Sequence, residues 1–138
     1  MKKYLFAIIL SFVAMVSNAQ TQRYLCEIKS QEKELSTGLK IVFDFGSNPT
    51  YVAWGLNGKQ KLVDENGKEI PFNSMVDAGN YMTSKGWNFL QAYASVYGGN
   101  VIVHWIFYKD ADSLEKAIEG IMTKEMYKER KKKADING

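Results

Sequence analysis

The sequence predicts an α+β fold in which an antiparallel sheet of about four to six strands carries two helices packed on it. Three observations lead to this class. Strand-like segments come first, a helical pattern follows, and two strong strands and a second helical pattern end the chain. The strands follow one another through short turns rich in glycine and asparagine, and each helical pattern starts with capping signals. The expected element order is therefore β-β-(short β meander)-α-β-β-α.

The first 19 residues have the three parts of a secretory signal peptide. A lysine-containing start precedes an apolar run over residues 4–16, and the small residues Ser17-Asn18-Ala19 follow as a cleavage site. This run is shorter than the ~20 residues of a membrane-spanning helix, so no stable membrane insertion is expected after cleavage. The mature protein should begin at Gln20, form one domain over residues 20–138, and reside in the periplasm or outside the cell.

Two strands and a small meander are predicted before the first helix. The strands cover residues 23–29 and 40–45, and another begins at Tyr51. Asn-Gly pairs at 57–58 and 66–67 suit type I′ turns, because both central residues of that turn take positive φ. These pairs predict a meander from 51 to 72, with a weak middle strand around residues 60–63.

The first helix has clear signals at both ends. Ser74 is spaced to cap it with Asp77 three residues later, and Gly86 stands where a left-handed residue ends a helix. Gly79 weakens the helix by about 1 kcal/mol relative to alanine, which suggests close packing on the sheet. One side of the helix is apolar and consists of Met75, Ala78 and Met82.

The strands over 87–96 and 101–109 are the strongest in the sequence and should form a hairpin around residues 97–100. Its expected register pairs His104 with Tyr93 and places His104 in a wall of the sheet without a catalytic partner. A one-residue slip of this register would turn Trp105 outward. The expected register is preferred because it buries the larger set of apolar side chains. The predicted core face consists of Leu90, Ala92, Ala94, Val96, Val101, Val103, Trp105 and Phe107.

The last helix is predicted to begin near Asp110 or Asp112, because Asp112 and Glu115 have the spacing of a capping box. Its apolar stripe consists of Leu114, Ala117, Ile118, Ile121, Met122 and Met126. Basic residues at its end match the negative pole of the helix dipole.

The stretch "FNSMVDAGNYMTSKGWNFLQAY" at 72–93 resembles a group of small exported bacterial domains of unknown function. In that group a helix ends in Gly-Trp, continues directly into a strand, and is followed by a hairpin partner that ends in basic residues. Gly86-Trp87 and the strand end at Tyr108-Lys109 match this pattern, whereas Asn88 stands where glutamate is usual. The resemblance implies a fold and carries no catalytic residue with it.

Charge and composition argue against several classes of function. Without Lys2 and Lys3, 16 basic residues face 15 acidic ones, so no overall field directs the domain to nucleic acid. The remaining basic cluster fits a solvated helix end better than its alternative, a surface that binds anions. The cluster consists of Lys128, Arg130, Lys131, Lys132 and Lys133.

One cysteine and one histidine cannot supply a tetrahedral zinc site without help from carboxylates, so neither a metal nor a cofactor is expected. Cys26 is expected to be a small buried hydrophobe. The Asp-Phe-Gly triplet at 44–46 has none of the other motifs of a kinase around it and fits a strand that ends at a turn.

The outward face of the hairpin is far more apolar than an open sheet face should be, so the chain itself or a partner must cover it. This predicts a non-enzymatic binding or protein-interaction module, with an unknown protein, a small ligand or a second copy as partner. The alternative is a small hydrolase-like enzyme centred on His104, with Asp44 or Cys26. The predicted binding residues are Phe89, Tyr93, Ile102, His104, Ile106 and Tyr108.

The cleavage site gives a first testable prediction. Intact-mass analysis of protein recovered from the exporting cell should show a chain that begins at Gln20, because the signal peptidase cuts after small residues. Retention of Met1 in the recovered protein would contradict export.

Overall fold

The computed structural model describes residues 20–32, 38–53 and 55–138. The predicted signal peptide and Trp54 therefore lie outside the described residues. In chain order the strands are β1 (Gln22–Glu32), β2 (Leu39–Asp44), β3 (Tyr51–Val52), β4 (Gly55–Leu56), β5 (Asn88–Tyr97) and β6 (Asn100–Ala111). A 3-10 helix spans Gly58–Gln60, and the α-helices are α1 (Met75–Ser84), α2 (Leu114–Ala117) and α3 (Lys124–Asn137).

The main sheet is antiparallel, with the strand order β2-β1-β6-β5, and β3 pairs with β4 in a separate two-stranded unit. This arrangement confirms the predicted α+β class. No helix among the described residues is long and apolar enough to cross a membrane.

Strand β1 organises the core because it is paired on both sides. Ile28 lies opposite Phe43 of β2 and Trp105 of β6. Alternate residues of these strands point toward α1 and bury their side chains there, which removes apolar surface from water at about 25 cal/mol per Å². The buried cluster on this helix face includes Cys26, Ile28, Ile41, Phe43, Met75, Ala78, Met82, Trp87 and Phe107.

Both ends of α1 agree with the predicted signals. The Ser74 hydroxyl accepts the backbone N–H of Asp77 at 3.1 Å. At the other end Gly86 has φ +84°, its N–H donates to the Thr83 carbonyl, and the Trp87 N–H donates to the Met82 carbonyl. These two bonds form a Schellman motif, which ends the helix and directs the chain into β5.

Gly79 is needed because α1 crosses the sheet closely at this point. A Cβ atom at Gly79 would lie 3.1 Å from Cζ3 of Trp105. The predicted close packing is therefore confirmed, and it offsets the low helix propensity of glycine.

Lys109 joins the end of the hairpin to two helix ends. Its ammonium group donates to the Lys85 carbonyl at 2.8 Å and to the Ala117 carbonyl at 3.1 Å. Both carbonyls lie at the C-terminal ends of short helices, where a cation is favoured by the helix dipole and by unpaired carbonyl groups.

The predicted register of the main hairpin is confirmed from Tyr97–Asn100 to Gln91–Ile106, with Tyr93 opposite His104. A bulge between Phe89 and Gln91 then shifts the pairing. Phe89 therefore lies on the helix face, where its ring meets those of Trp105 and Phe107 edge-on. Its predicted position on the outward face, beside Tyr93 and His104, is wrong because the bulge reverses the alternation of side chains.

The β5 residues predicted to complete the core are exposed. Leu90 is 51% and Val96 is 72% exposed, and Ala92 and Ala94 are also exposed. The prediction is wrong for this strand because the buried cluster lies over β2, β1 and β6, and the β5 edge extends beyond it.

The single helix predicted after the hairpin is two helices, α2 and α3. Ser113 caps α2 by accepting the Lys116 N–H, and Thr123 caps α3 by accepting the Met126 N–H. Gly120, with φ +78°, lies in the turn between them. The apolar stripe therefore reaches the core mainly through α2 and the turn. Met126 of α3 is partly buried and packs against the core, and no residue of α3 is fully buried.

The predicted meander forms only in part. Asn57 has φ −70° and caps the 3-10 helix, so the first Asn-Gly pair makes no type I′ turn. Gly67 has positive φ but Asn66 does not, and the flanking contact is a single bridge between Val63 and Glu69. Side-chain capping by asparagine competes with the hairpin turn at the first pair.

The Schellman motif gives a test of the helix end. Gly86→Val should lower the free energy of unfolding by more than about 1 kcal/mol, because valine rarely adopts positive φ. Denaturant titration is the measurement, and Asn80→Val, an exposed change within α1, is the control. Equal unfolding midpoints for the two variants would contradict the motif.

Candidate functional site

The sheet face opposite α1, called here the second face, is partly covered by the chain itself. Leu56 of β4 packs with Val42 and Ile102, and all three are fully buried. The ring of Tyr51 stacks on Tyr97 with centroids 4.2 Å apart. The sequence predicted an apolar outward face around Ile102 that needs a cover. The β3–β4 unit of the same chain provides that cover.

A chain of hydrogen bonds crosses the second face at His104. The imidazole Nδ1 lies 2.8 Å from Oε1 of Glu27, and Nε2 lies 2.6 Å from Oγ of Ser95. The three residues come from β6, β1 and β5, and the alternation of side chains places them on the same face.

The partners fix the tautomer of the histidine. An ionised Glu27 can only accept hydrogen bonds, so Nδ1 of His104 carries the proton. With the proton on Nδ1, Nε2 is the ring's acceptor, and the Ser95 hydroxyl donates a hydrogen bond to it. Each ring nitrogen of this buried side chain is satisfied, as a buried polar group requires.

Tyr93 covers the imidazole and binds the same carboxylate. Its ring stacks on that of His104 with centroids 4.3 Å apart and planes within 6°. Its hydroxyl donates to Oε1 of Glu27 at 2.6 Å. This hydrogen bond raises the pKa of Tyr93 to about 12, so the phenol remains protonated and keeps donating.

Lys29 extends the network toward β2. Its side chain is only 3% exposed, and Nζ lies 2.9 Å from Oε2 of Glu27 and 2.8 Å from Oδ2 of Asp44. Thr50 donates its hydroxyl to Asp44 at 2.9 Å, and so does the Gly46 N–H at 2.8 Å.

These donors determine the ionisation of the two carboxyls. Burial alone would raise the pKa of Glu27, but the hydrogen bonds from Tyr93 and Lys29 outweigh it and lower that pKa. Burial also opposes ionisation of Asp44, and hydrogen bonds from Lys29 and the Gly46 N–H lower its pKa. Burial would lower the pKa of Lys29, yet the two carboxylates raise it, so all three groups are charged near neutral pH.

The structure separates the six residues predicted to bind a partner. Tyr93 is 46% exposed, whereas Ile102 and His104 are buried, and Phe89 lies on the other face. Ile106 and Tyr108 are partly buried. A single apolar surface made of all six is therefore not present.

The partners suggested for His104 in the enzyme alternative do not contact it. Cys26 lies in the core on the helix face, and burial raises the pKa of its thiol, which makes the thiolate unfavourable. Asp44 binds Lys29 instead. Glu27 was missed because its position depends on the pairing of β1 with β6. The predicted hairpin register, in contrast, already placed Ser95 on the same face as Tyr93 and His104.

Strand β5 forms one edge of the sheet. Gly98 and Gly99 both have positive φ and make a two-residue turn, so Tyr97 and Asn100 form a hydrogen-bonded pair. Hydrogen-bonded and non-bonded pairs alternate along an antiparallel ladder. The N–H and C=O groups that point away from β6 are therefore those of Ala92, Ala94 and Val96.

The basic cluster predicted near the C-terminus lies on exposed α3. Lys128 also lines a cavity of about 380 Å³ together with Lys40, Lys59, Lys61 and Lys124. Ion pairs from Lys61 to Glu69 and from Lys59 to Glu125 partly neutralise this group. Among the described residues, no group of three histidine, cysteine or acidic side chains could hold a metal ion.

No protein family, curated protein or solved structure matches this chain. Its own geometry therefore carries the functional argument.

Lys29 provides a test of the network. Lys29→Met leaves Glu27 and Asp44 without their shared cation and should lower the free energy of unfolding by about 3 kcal/mol at neutral pH. The exposed Lys68→Met is the control and should change the stability little.

The loss should also depend on pH. The pKa values of Glu27 and Asp44 are lowered by folding, so the stabilisation from their ionised forms is present above their unfolded values. This stabilisation disappears as the pH falls through the lowered values, so wild type and Lys29→Met should converge in acid. Denaturant titrations across pH measure the difference, and a difference that does not change with pH would contradict the ion pairs.

Proposed function

We propose that the chain is a protein-interaction module whose edge strand β5 pairs with the same strand of a second copy. The observation that carries the proposal is the exposure of this strand. Nine of its ten residues are exposed, and Ser95 is the exception. A strand of this length with one unpaired edge is a template for strand addition.

Among the residues that the structure describes, the half of β5 nearest the turn lacks the features that prevent pairing at other edges. The sequence of the strand, NFLQAYASVY, contains neither a charged residue nor proline. The opposite edge strand, β2, carries Lys40 and Asp44 and has the 3-10 helix against it. Proteins commonly protect edges with charges, prolines or covering segments, so β5 is the open edge of this sheet as far as the described residues show.

The pattern of free backbone groups suits a second copy of the chain. If Ala94 lies opposite Ala94 of the other copy, Ala92 lies opposite Val96 and all three positions present outward N–H and C=O groups. About six hydrogen bonds can then form between two antiparallel strands. The same patch serves both copies, so the arrangement is a closed two-fold dimer.

Side chains favour the same register. Tyr93 of one copy would lie beside Ser95 of the other, and the exposed Val96 would pack beside Ala92. With no charge on either strand, no like-charge pair opposes the contact. The bulge at Phe89 and Gln91 limits the pairing to the half of β5 nearest the turn.

The predicted signal peptide supports action outside the cytoplasm, in the periplasm or beyond the cell. Strand pairing of this kind requires neither a cofactor nor a metal.

Self-association can be tested with one charge on the edge. Wild-type residues 20–138 should form dimers in light scattering or sedimentation, and Ala94→Lys should be monomeric, because two lysines would face each other across the two-fold axis. Val76→Lys adds the same charge at an exposed site on α1 and should leave the dimer intact.

The proposal is wrong if the wild type remains monomeric up to about 1 mM, since that limits the association free energy to about −4 kcal/mol. It is also wrong if both lysine variants weaken the dimer equally, because the effect would then come from net charge and not from the edge.

A further inference from the structure

We infer that Ser95, His104 and Glu27 form a nucleophilic site that accepts the acyl group of small carboxylic esters. The inference does not require the proposed dimer, applies to a single copy, and rests on the hydrogen-bond chain of the second face. Nucleophile, base and orienting carboxylate are linked in that order by contacts of 2.6 and 2.8 Å. This is the arrangement by which a weakly nucleophilic serine is activated.

Each residue has the environment that its role requires. His104 is 3% exposed and has Nε2 directed at the Ser95 hydroxyl, so it is ready to accept that proton. Ser95 is partly exposed and lies on the edge strand, so an ester can approach Oγ from solvent. Glu27 holds Nδ1–H and stabilises the positive ring that forms during the reaction.

Two further side chains position Glu27. The Tyr93 hydroxyl shares Oε1 with His104, and the Lys29 ammonium holds Oε2. Both oxygens are thereby fixed, which limits rotation of the carboxylate. Tyr93 and Lys29 act through Glu27 and are positioning residues.

The reaction conserves atoms and charge. Oγ of Ser95 bonds to the carbonyl carbon while Nε2 of His104 takes the hydroxyl proton. The carbon–oxygen bond to the alkoxy group then breaks, and the leaving alcohol receives the proton from Nε2. Water attacks the acyl-serine with His104 again as base, which releases the carboxylic acid and restores Ser95.

The negative oxygen of the intermediate needs a donor. Val96 follows Ser95 in the chain, and its N–H points out of the edge, where none of the described residues of a single copy accepts it. This group is available to the carbonyl oxygen of an ester bound at the edge. A small, unhindered acyl group fits such an open position, so the proposed substrates are esters of small carboxylic acids.

The test uses a fluorophosphonate probe on residues 20–138, at a protein concentration where light scattering shows single copies. Attack by Oγ on phosphorus releases fluoride and leaves a stable adduct, which peptide mass mapping should locate at Ser95.

Variants separate the roles. Ser95→Ala should abolish the labelling, and His104→Gln should slow it at least about 100-fold, because glutamine keeps a hydrogen bond but is no base. Glu27→Gln should slow it at least about 10-fold, since its amide can donate to Nδ1 and reverse the tautomer. Ser84→Ala, an exposed hydroxyl on α1, should change nothing.

Hydrolysis of p-nitrophenyl acetate by the same proteins should follow the same order. Circular dichroism and thermal unfolding of each variant confirm that it is folded. The inference is overturned if folded wild-type protein is not labelled at Ser95 at any pH. It is equally overturned if His104→Gln is labelled as fast as wild type. Neither outcome bears on dimer formation, which light scattering measures separately.

Discussion

The carboxylate of Glu27 is the interaction on which the second face depends. It accepts hydrogen bonds from Tyr93 on β5 and His104 on β6, and it forms an ion pair with Lys29 two residues away on its own strand. A partly buried carboxylate must be compensated by hydrogen-bond donors, and Glu27 in turn holds each of these donors in place. The network therefore fixes side chains of β1, β5 and β6 relative to one another, which backbone pairing alone would not do.

The position of β5 explains why an edge and a candidate site coincide. The buried apolar cluster lies over β2, β1 and β6, so β5 has backbone pairing on one side and little cover on its faces. This leaves Ala94 and its neighbours with outward backbone groups. It also leaves Ser95 within reach of solvent although its histidine is buried. The exposure of β5 is thus the basis of both the proposed pairing surface and the access of solvent to the Ser95 hydroxyl.

Local sequence signals predicted local structure well. Ser74 and Gly86 fix the ends of α1 through contacts within a few residues, and the glycine turn fixes the hairpin register that pairs Tyr93 with His104. The two-helix end of the chain was missed because one apolar stripe continues across the turn at Gly120, while the side chain of Thr123 starts a new helix.

Contacts between distant segments could not be predicted in the same way. The bulge that turns Phe89 to the helix face has no glycine or proline signal. Likewise, the role of Glu27 depends on the pairing of β1 with β6, and the cover of Ile102 by Leu56 depends on a two-residue strand. Such contacts follow from tertiary packing, which overrides local preference.

The most direct test of the network uses the fact that the chain has one histidine. Nitrogen-15 NMR of the imidazole at neutral pH observes His104 alone and reports which ring nitrogen carries the proton. We expect a protonated Nδ1 and an unprotonated Nε2 in the folded protein, with the preference lost in Glu27→Gln. A proton on Nε2, or the averaged signal of an imidazole that exchanges freely with solvent, would contradict the hydrogen-bond chain from Glu27 to Ser95.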